Sequence, residues 1–372
     1  MLEPMRQLAL FFILSSPIAF AQQLPPDQLF NRAFDAQQRG DYVTAIRDYQ
    51  RLLKTHPEMG AAHANLGAAL AHTGRLDEAI AEYTYALPMA DDKDGIRFNI
   101  GLAYYKKGDL ADAAHVFEDL RTRRPRDPQL AILLGDSDVK LGNAAEAVNV
   151  LQPLEAENAS NGDLEYALGE AEIASGERRP GAERLGKLAA ATQSADAYLL
   201  AGSAFMDVNE FELARADLDA ALKLNPRLPR IYGLTALAHD KTGDQTGAEP
   251  LFREALKQNP DDFEANLYLG AILYKRRAIE EARPFLDKAL QLKPQDAMAR
   301  YESGMWESTA GKYDEAAKEL EAVVKENPDW LEPHLELATV YYRLHRPEDG
   351  AKERATVAQL TAQQQLKGPG KQ

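Results

Sequence analysis

The sequence has no cysteine, which excludes disulfide staples, thiolate metal sites and a cysteine nucleophile. The same absence excludes a lipid anchor that needs a modified cysteine behind an export signal. Tryptophan is scarce, with two in 372 residues, and no apolar run approaches the ~20 residues of a membrane-spanning helix. Positive charge is outweighed, 43 Lys and Arg against 58 Asp and Glu, for a formal charge of −15. The clustered basic surface that releases counterions from nucleic acid is therefore missing. Two short basic runs, Arg121 to Arg126 and Lys275 to Arg277, fall at inter-helix turns with carboxylates close by and read as solvated turns rather than docking patches.

Catalytic patterns are lacking as well. No His-Glu-x-x-His, no Gly-x-Ser-x-Gly and no phosphate-cradling glycine loop occurs, so neither a metal nor another cofactor is implied. Asp91-Asp92-Lys93-Asp94-Gly95 resembles the start of a calcium loop, but the first ligand position would be Ala90 and the twelfth Gly101. An acidic turn between helices accounts for it better.

The first residues carry the three parts of an export signal. Arg6 supplies a basic start, Leu8 to Leu14 a short apolar core, and Ala19-Phe20-Ala21 a small-x-small cleavage site, so residues 1–21 are expected to be removed. Glu3 is unusual in such a start, which leaves Met5 open as the initiator.

What the chain has in abundance is period. Small residues fall into register at Ala33, Gly67, Gly101, Gly135, Gly169, Gly202, Ala236, Gly270, Gly304 and Ala338, each 34 apart except one step of 33. Seven residues after each comes a turn position, filled by glycine or, at Asn209, asparagine, with Arg277 and His345 as departures. A second small column follows at Ala45, Ala79, Ala113, Ala147, Gly181, Ala214, Ala248, Ala282, Ala316 and Gly350. Four residues on stands a bulky residue such as Tyr49, Tyr83, Phe117 or Leu185, expected to fill the gap between neighbouring repeats. Proline closes many repeats, at Pro57, Pro125, Pro226, Pro260, Pro294 and Pro328. Apolar spacing of three and four between these marks makes each repeat two short amphipathic helices.

Asn99-Ile100-Gly101-Leu102-Ala103-Tyr104 with Ala113, Phe117 and Pro125 resembles the tetratricopeptide repeat signature almost in full. The opening tryptophan of that signature is absent throughout, replaced by residues such as His63, Tyr198 and Tyr232. The resemblance implies an all-α, right-handed superhelical solenoid of about ten helix-turn-helix repeats. The boundaries read as a signal at 1–21, four repeats over 26–161, an irregular joint at 162–194, five repeats over 195–364 and a disordered tail at 365–372. The joint is irregular because Arg178-Arg179-Pro180-Gly181 stands where a helix begins and the repeat is one residue short. Arg354 replaces the bulky residue in the final helix, as suits a terminal repeat that no neighbour covers.

In such a fold the first helices line a concave groove that takes extended peptides or helices. The resemblance places Asn31, Asn65 and Asn99 at one groove-facing position in three successive repeats, similar to the asparagine ladder of O-linked N-acetylglucosamine transferases, whose catalytic domain is wholly absent here. His72 and Lys106, further along two of the same helices, are candidates to meet a carboxylate. Downstream the position becomes apolar, at Leu133, Ala167, Leu200, Leu234 and Tyr268, and then acidic, at Glu302 and Glu336. The paired Lys and Asn of the family's two-carboxylate clamp are not supplied.

The expected function is that of an exported scaffold or adaptor for protein or peptide partners, with no nucleic-acid partner and no transmembrane segment in the mature chain. A chaperone-like holder of extended clients during secretion or envelope assembly is the alternative. The repeats leave no room for a catalytic domain, so an enzyme is not expected. The expected compartment is the periplasm of a Gram-negative bacterium, or alternatively the medium.

Overall fold

A computed structural model describes residues 24–367. The signal expected at 1–21 and the last five residues of the expected tail lie outside the described residues. Among those described the fold is all-α, without a strand, in ten consecutive helix pairs. They are α1 (Pro26–Gln38) and α2 (Tyr42–Leu53), α3 (Gly60–His72) and α4 (Leu76–Ala86), α5 (Lys93–Lys107) and α6 (Leu110–Arg123), and α7 (Pro128–Lys140) and α8 (Ala144–Leu151). There follow α9 (Gly162–Ser175) and α10 (Arg178–Thr192), α11 (Ala195–Asp207) and α12 (Phe211–Leu224), and α13 (Ile231–Lys241) and α14 (Gln245–Gln258). The last pairs are α15 (Phe263–Lys275) and α16 (Ile279–Leu292), α17 (Ala297–Thr309) and α18 (Tyr313–Glu326), and α19 (Leu331–Arg343) and α20 (Pro347–Lys367). Helix α20 thus runs three residues into the stretch expected to be a tail. The chain divides into two compact units, Met1–Ser137 and Asp138–Gln372, with the boundary inside α7.

Each pair is delimited by residues whose chemistry suits a helix end. Asp41, Asp92, Ser194, Asp244, Asp262 and Asp296 each accept the backbone N–H three residues on, as in Gly95 N–H to Asp92 at 2.8 Å. Asp92 is therefore a helix cap, in keeping with its reading as a turn residue. At the exit of the first helix, Gly40, Gly74, Gly108, Gly142, Gly176, Gly243 and Gly311 all take left-handed φ of 78–102°. Asn209, Arg277 and His345 do the same, at 59°, 67° and 55°. The turn is held by the residue after it, whose N–H reaches five residues back, as from Asp41 to Ala36 and from Arg346 to Tyr341, both at 2.9 Å. Because this bond fixes the geometry, Arg277 and His345 adopt it without the glycine that would adopt it most easily.

Within a pair the helices meet at the small column. A Cβ on Gly67 would come within 2.8 Å of the Tyr83 ring, and one on Gly101 within 2.6 Å of Phe117. Gly169, Gly202 and Gly270 stand in the same relation to Leu185, Leu218 and Leu286 at 2.7 Å. The bulky residue thus covers the small residue of its own repeat, sixteen positions earlier, where the sequence reading had it filling the gap between repeats. It reaches the next repeat as well, as at Phe252, whose ring stacks on Tyr268 at 6.0 Å, and at Tyr83, which borders the same cleft as Asn99. The one-residue-short repeat forms a pair on the same plan. Pro180 lies in the first turn of α10, where no intrahelical N–H bond is lost. Gly181 approaches so closely that a Cβ there would sit 2.6 Å from the Gly169 carbonyl oxygen. Gln193, left-handed at φ 56°, absorbs the missing residue before α11. At the far end Arg354 is exposed, its guanidinium 5.2 Å from the Tyr342 ring centre.

A polar column runs beside the apolar ones. Four residues before the small residue, where the signature has tryptophan, His63 and His334 each turn one ring nitrogen to the preceding proline carbonyl at 3.0 Å. The other nitrogen faces Glu82 or Glu353 on the second helix, at 2.5 and 2.6 Å. Asn266 and Arg300 donate to Pro260 and Pro294 from the same place, at 3.0 and 2.9 Å. In the pair α9–α10 the charges are exchanged: Glu165 stands first and Arg184 answers it at 2.7 Å, with Glu155 and Glu172 also on the guanidinium. Such partly buried pairs fix how the two helices are seated as well as adding charge-assisted bonds.

One buried acid in α17 is left incomplete. Glu307 is 8% exposed, its Oε2 has no hydrogen-bond partner, and Arg283 approaches the other oxygen only to 3.9 Å. Burial, then the nearby Glu319, pushes its carboxyl from 4.5 up to about 7. The folded chain therefore holds this proton through a pH window in which the unfolded chain has lost it. Stability from this group is greatest below about pH 4.5 and is lost as pH rises towards 7. Glu307→Gln is expected to raise the melting temperature at pH 8 by about 2–4 °C and to leave it unchanged at pH 4.5. Calorimetry at the two pH values checks this, and an equal shift at both would contradict it.

Candidate functional site

In the first compact unit the faces of α3 and α5 leave a cleft of about 170 Å³. Ala68 and Ala71 form one wall, Leu102 and Ala103 the other, and Tyr83 from α4 closes the base. Three of the residues singled out from sequence line this one cleft: His72, Asn99 and Lys106. Helix geometry explains the grouping. Asn99 and Lys106 are seven residues apart, two turns along one face of α5, and His72 ends α3 beside them.

The groups differ in how far they are already committed. The His72 ring stacks on Tyr42 from α2 at 4.7 Å with planes 8° apart, which holds the imidazole at the cleft edge. Lys106 and Lys107 are neighbours with different fates. Lys107 pairs with Asp77 at 2.7 Å and Asp109 at 2.8 Å, and these carboxylates hold its ammonium well above the usual lysine range. Lys106 is exposed and has no ion pair among the described residues. The cleft thus offers a cation and a side-chain amide over an apolar base. It can take an acidic or amide-bearing group, and it has no arrangement of nucleophile and base.

The other expected site residues lie elsewhere. Asn65 occupies the place in α3 that Asn99 occupies in α5, but its amide stands beside the buried Tyr49 hydroxyl. Asn31, at the same place in α1, is exposed. Tyr268 belongs to the second compact unit, half-buried, stacked on Phe252 with Lys241 Nζ 5.2 Å above its ring. Burial, then the nearby Asp240, raises its hydroxyl above the ordinary tyrosine value. Of the two downstream acids, Glu302 is buried and engaged by Tyr274 at 2.8 Å and Lys275 at 3.4 Å. Glu336 is half-buried and accepts from Ser308 at 2.6 Å. The first basic run is neutralised in place, Arg121 by Glu118, Arg123 by Asp119 and Asp94, and Arg124 by Asp127.

Sequence reasoning missed Tyr83 as part of the cleft and Tyr42 as the ring that supports His72 at its edge. Tyr83 was legible only as a packing residue, and the adjacent Ala68 and Ala71 were the signal that space is left over it. Among the described residues no helix is long and apolar enough to cross a membrane, and no group of three or more His, Asp or Glu is placed to hold a metal ion.

Comparison with known proteins bears on the fold. Family models described as tetratricopeptide repeat match residues 30–94, 199–263, 235–297 and 307–362, and a second of the same description matches 104–171. Among solved structures, a tetratricopeptide repeat protein from Parabacteroides merdae ATCC 43184 is 18% identical, with a TM-score of 0.51 over 63% of this chain and 93% of that one. YrrB, described as a repeat protein of this kind with an unusual peptide-binding site, is 21% identical, with a TM-score of 0.43 over 52% of this chain and 97% of that one. Anaphase-promoting complex subunit 3 of Schizosaccharomyces pombe is 24% identical over 150 residues, 40% of this chain. The match spans only 23% of that relative's length.

The difference between the two lysines gives a direct test. Lys106→Gln is expected to leave thermal stability unchanged, whereas Lys107→Gln lowers it at low salt and less so at 1 M salt, where exposed pairs are screened. A Lys106 that proved stabilising would be serving the fold and not the cleft.

Proposed function

The chain belongs to the tetratricopeptide repeat family, and from that premise we propose that it is an exported scaffold holding extended segments of partner proteins along its first-helix faces. The observation that carries this reading is the cleft at His72, Asn99 and Lys106. Lys106 is exposed, and His72 and Lys106 hold the same place in successive repeats, so a partner strand laid across the repeats meets them in succession. Binding is the mechanism: amides and a cation meet main-chain groups and acidic side chains, while small residues on the walls let the strand approach. Function in this family rests on the site more than on the fold, and the site has no catalytic constellation.

Export is inferred from the basic start, apolar core and Ala19-Phe20-Ala21 of the first residues, and the cysteine-free composition suits a periplasmic location. A scaffold recovers a folded partner in fixed ratio, whereas a holder of unfolded clients recovers many chains weakly.

Expressed in a Gram-negative host, the protein is expected in the osmotic-shock fraction with Gln22 as its first residue by N-terminal sequencing. Full-length chain retained in the cytoplasm would contradict export. Crosslinking in intact cells of origin followed by affinity purification is expected to recover one partner in fixed ratio from the parent chain, and less of it from Asn65→Ala, Asn99→Ala. Undiminished recovery by a folded double variant would remove the asparagines from the account.

A further inference from the structure

One glycine of the irregular joint has no conformational or packing reason in the fold. Gly162 opens α9 with a φ outside the left-handed region that the turn glycines occupy. A Cβ there would meet only the Leu188 side chain, at an ordinary 3.6 Å. Gly169 and Gly181 in the same pair differ, since a Cβ on either would come within 2.7 Å of a neighbour. The flanking repeats fill the place of Gly162 with Pro128 and Ala195. Neither turn nor contact therefore asks for glycine here, and the residue before it supplies a chemical reason instead.

Asn161-Gly162 is the sequence's one Asn-Gly step. The main-chain nitrogen after an asparagine can attack the side-chain amide carbon, and a Cβ on the following residue obstructs that approach. Glycine has none. Asn161 is half-buried, with φ −84° and ψ 97°. Its side-chain oxygen caps α9, accepting from Asp163 N–H at 3.1 Å and Leu164 N–H at 3.2 Å. Closing a ring onto the Gly162 nitrogen turns the side chain away from both N–H groups, so the cap has to open first.

We propose that Asn161-Gly162 is a self-modification site, gated by the α9 cap, at which the main chain converts the asparagine to aspartate or isoaspartate. When the first turn of α9 opens, the Gly162 nitrogen bonds to Asn161 Cγ and the Cγ–Nδ2 bond breaks. Nδ2 leaves as ammonia, with the proton that the Gly162 nitrogen gives up. Water then opens the cyclic imide. Opening at Cγ leaves aspartate, which keeps a capping oxygen and adds a negative charge that a helix N-terminus favours. Opening at the Asn161 main-chain carbonyl leaves isoaspartate, whose main chain runs through Cβ and Cγ and is one carbon longer, and the cap is lost. The site lies between α8 and α9, so this second product alters how two successive repeats are joined.

Incubation of the full chain in mildly alkaline buffer, folded and in denaturing urea, with each asparagine followed by peptide mass spectrometry, tests the site and its gate. In urea Asn161 is expected to convert faster than every other asparagine, and in the folded chain at least tenfold more slowly than in urea. Gly162→Ala is expected to slow the conversion in urea at least tenfold, a comparison that needs no folded variant. Its melting temperature stays the same or rises, because the unfolded chain loses freedom. In the isoaspartate fraction the Asp163 and Leu164 amides exchange with solvent faster than in the parent chain, whereas in Asn161→Asp they do not. Another asparagine converting first, or Gly162→Ala converting as fast as the parent, overturns the site. A Gly162→Ala protein that melts lower gives the glycine a structural reason and overturns its assignment to the reaction. Equal rates in the folded chain and in urea overturn the gate, and unchanged exchange at Asp163 and Leu164 in the isoaspartate fraction overturns the loss of the cap.

Discussion

Everything in this chain depends on how closely the two helices of each repeat approach. Glycine or alanine at the small columns removes the side chains that would hold the backbones apart, and a ring or leucine sixteen residues on seals the contact. That lock uses one face of each first helix, and on α5 the residues away from it include the half-buried Asn99 and the exposed Lys106. The candidate cleft is a by-product of the same constraint, since Ala68 and Ala71 keep the face of α3 low enough for Asn99, Lys106 and Tyr83 to border open space. Dispersion and area burial within a pair stabilise the fold.

Polar pairing supplies register where apolar packing alone would slide. The proline carbonyl that closes one repeat is met by His63, Asn266, Arg300 or His334 at the start of the next helix, and the same side chains face an acid on the second helix in three of these cases. Glu165 and Arg184 keep the pairing with the signs exchanged. A single tryptophan would fill this place by bulk, whereas these repeats fill it by charge and hydrogen bonding. The missing tryptophans of the sequence are thus replaced by a different physical solution in the same position.

Most of the architecture was legible because period 34 repeats ten times, and each column has a conformational reason that composition reveals. Glycine at the turn is the plainest case, and the left-handed φ of Arg277 and His345 shows that the helix ends impose that geometry even where the residue does not invite it. The direction of the bulky residue was less legible, since spacing along one chain does not say whether Phe117 covers its own repeat or the next. The site was partly legible. Asn99, Lys106 and His72 were found because a groove face repeats with the helices, but Glu302 has the same register and is buried under Tyr274 and Lys275. Partners twenty-seven or twenty-eight residues away decided that, and nothing in the local pattern carries it.

The central claim, that each repeat is locked internally by a small residue under a bulky one, is tested most directly by a double-mutant cycle at Gly101 and Phe117 in urea denaturation. Gly101→Ala alone should destabilise because its new Cβ falls 2.6 Å from the Phe117 ring, and that cost should largely vanish in the Phe117→Ala background. A coupling of about 1 kcal/mol or more is the predicted result, and additivity within about 0.5 kcal/mol would contradict it.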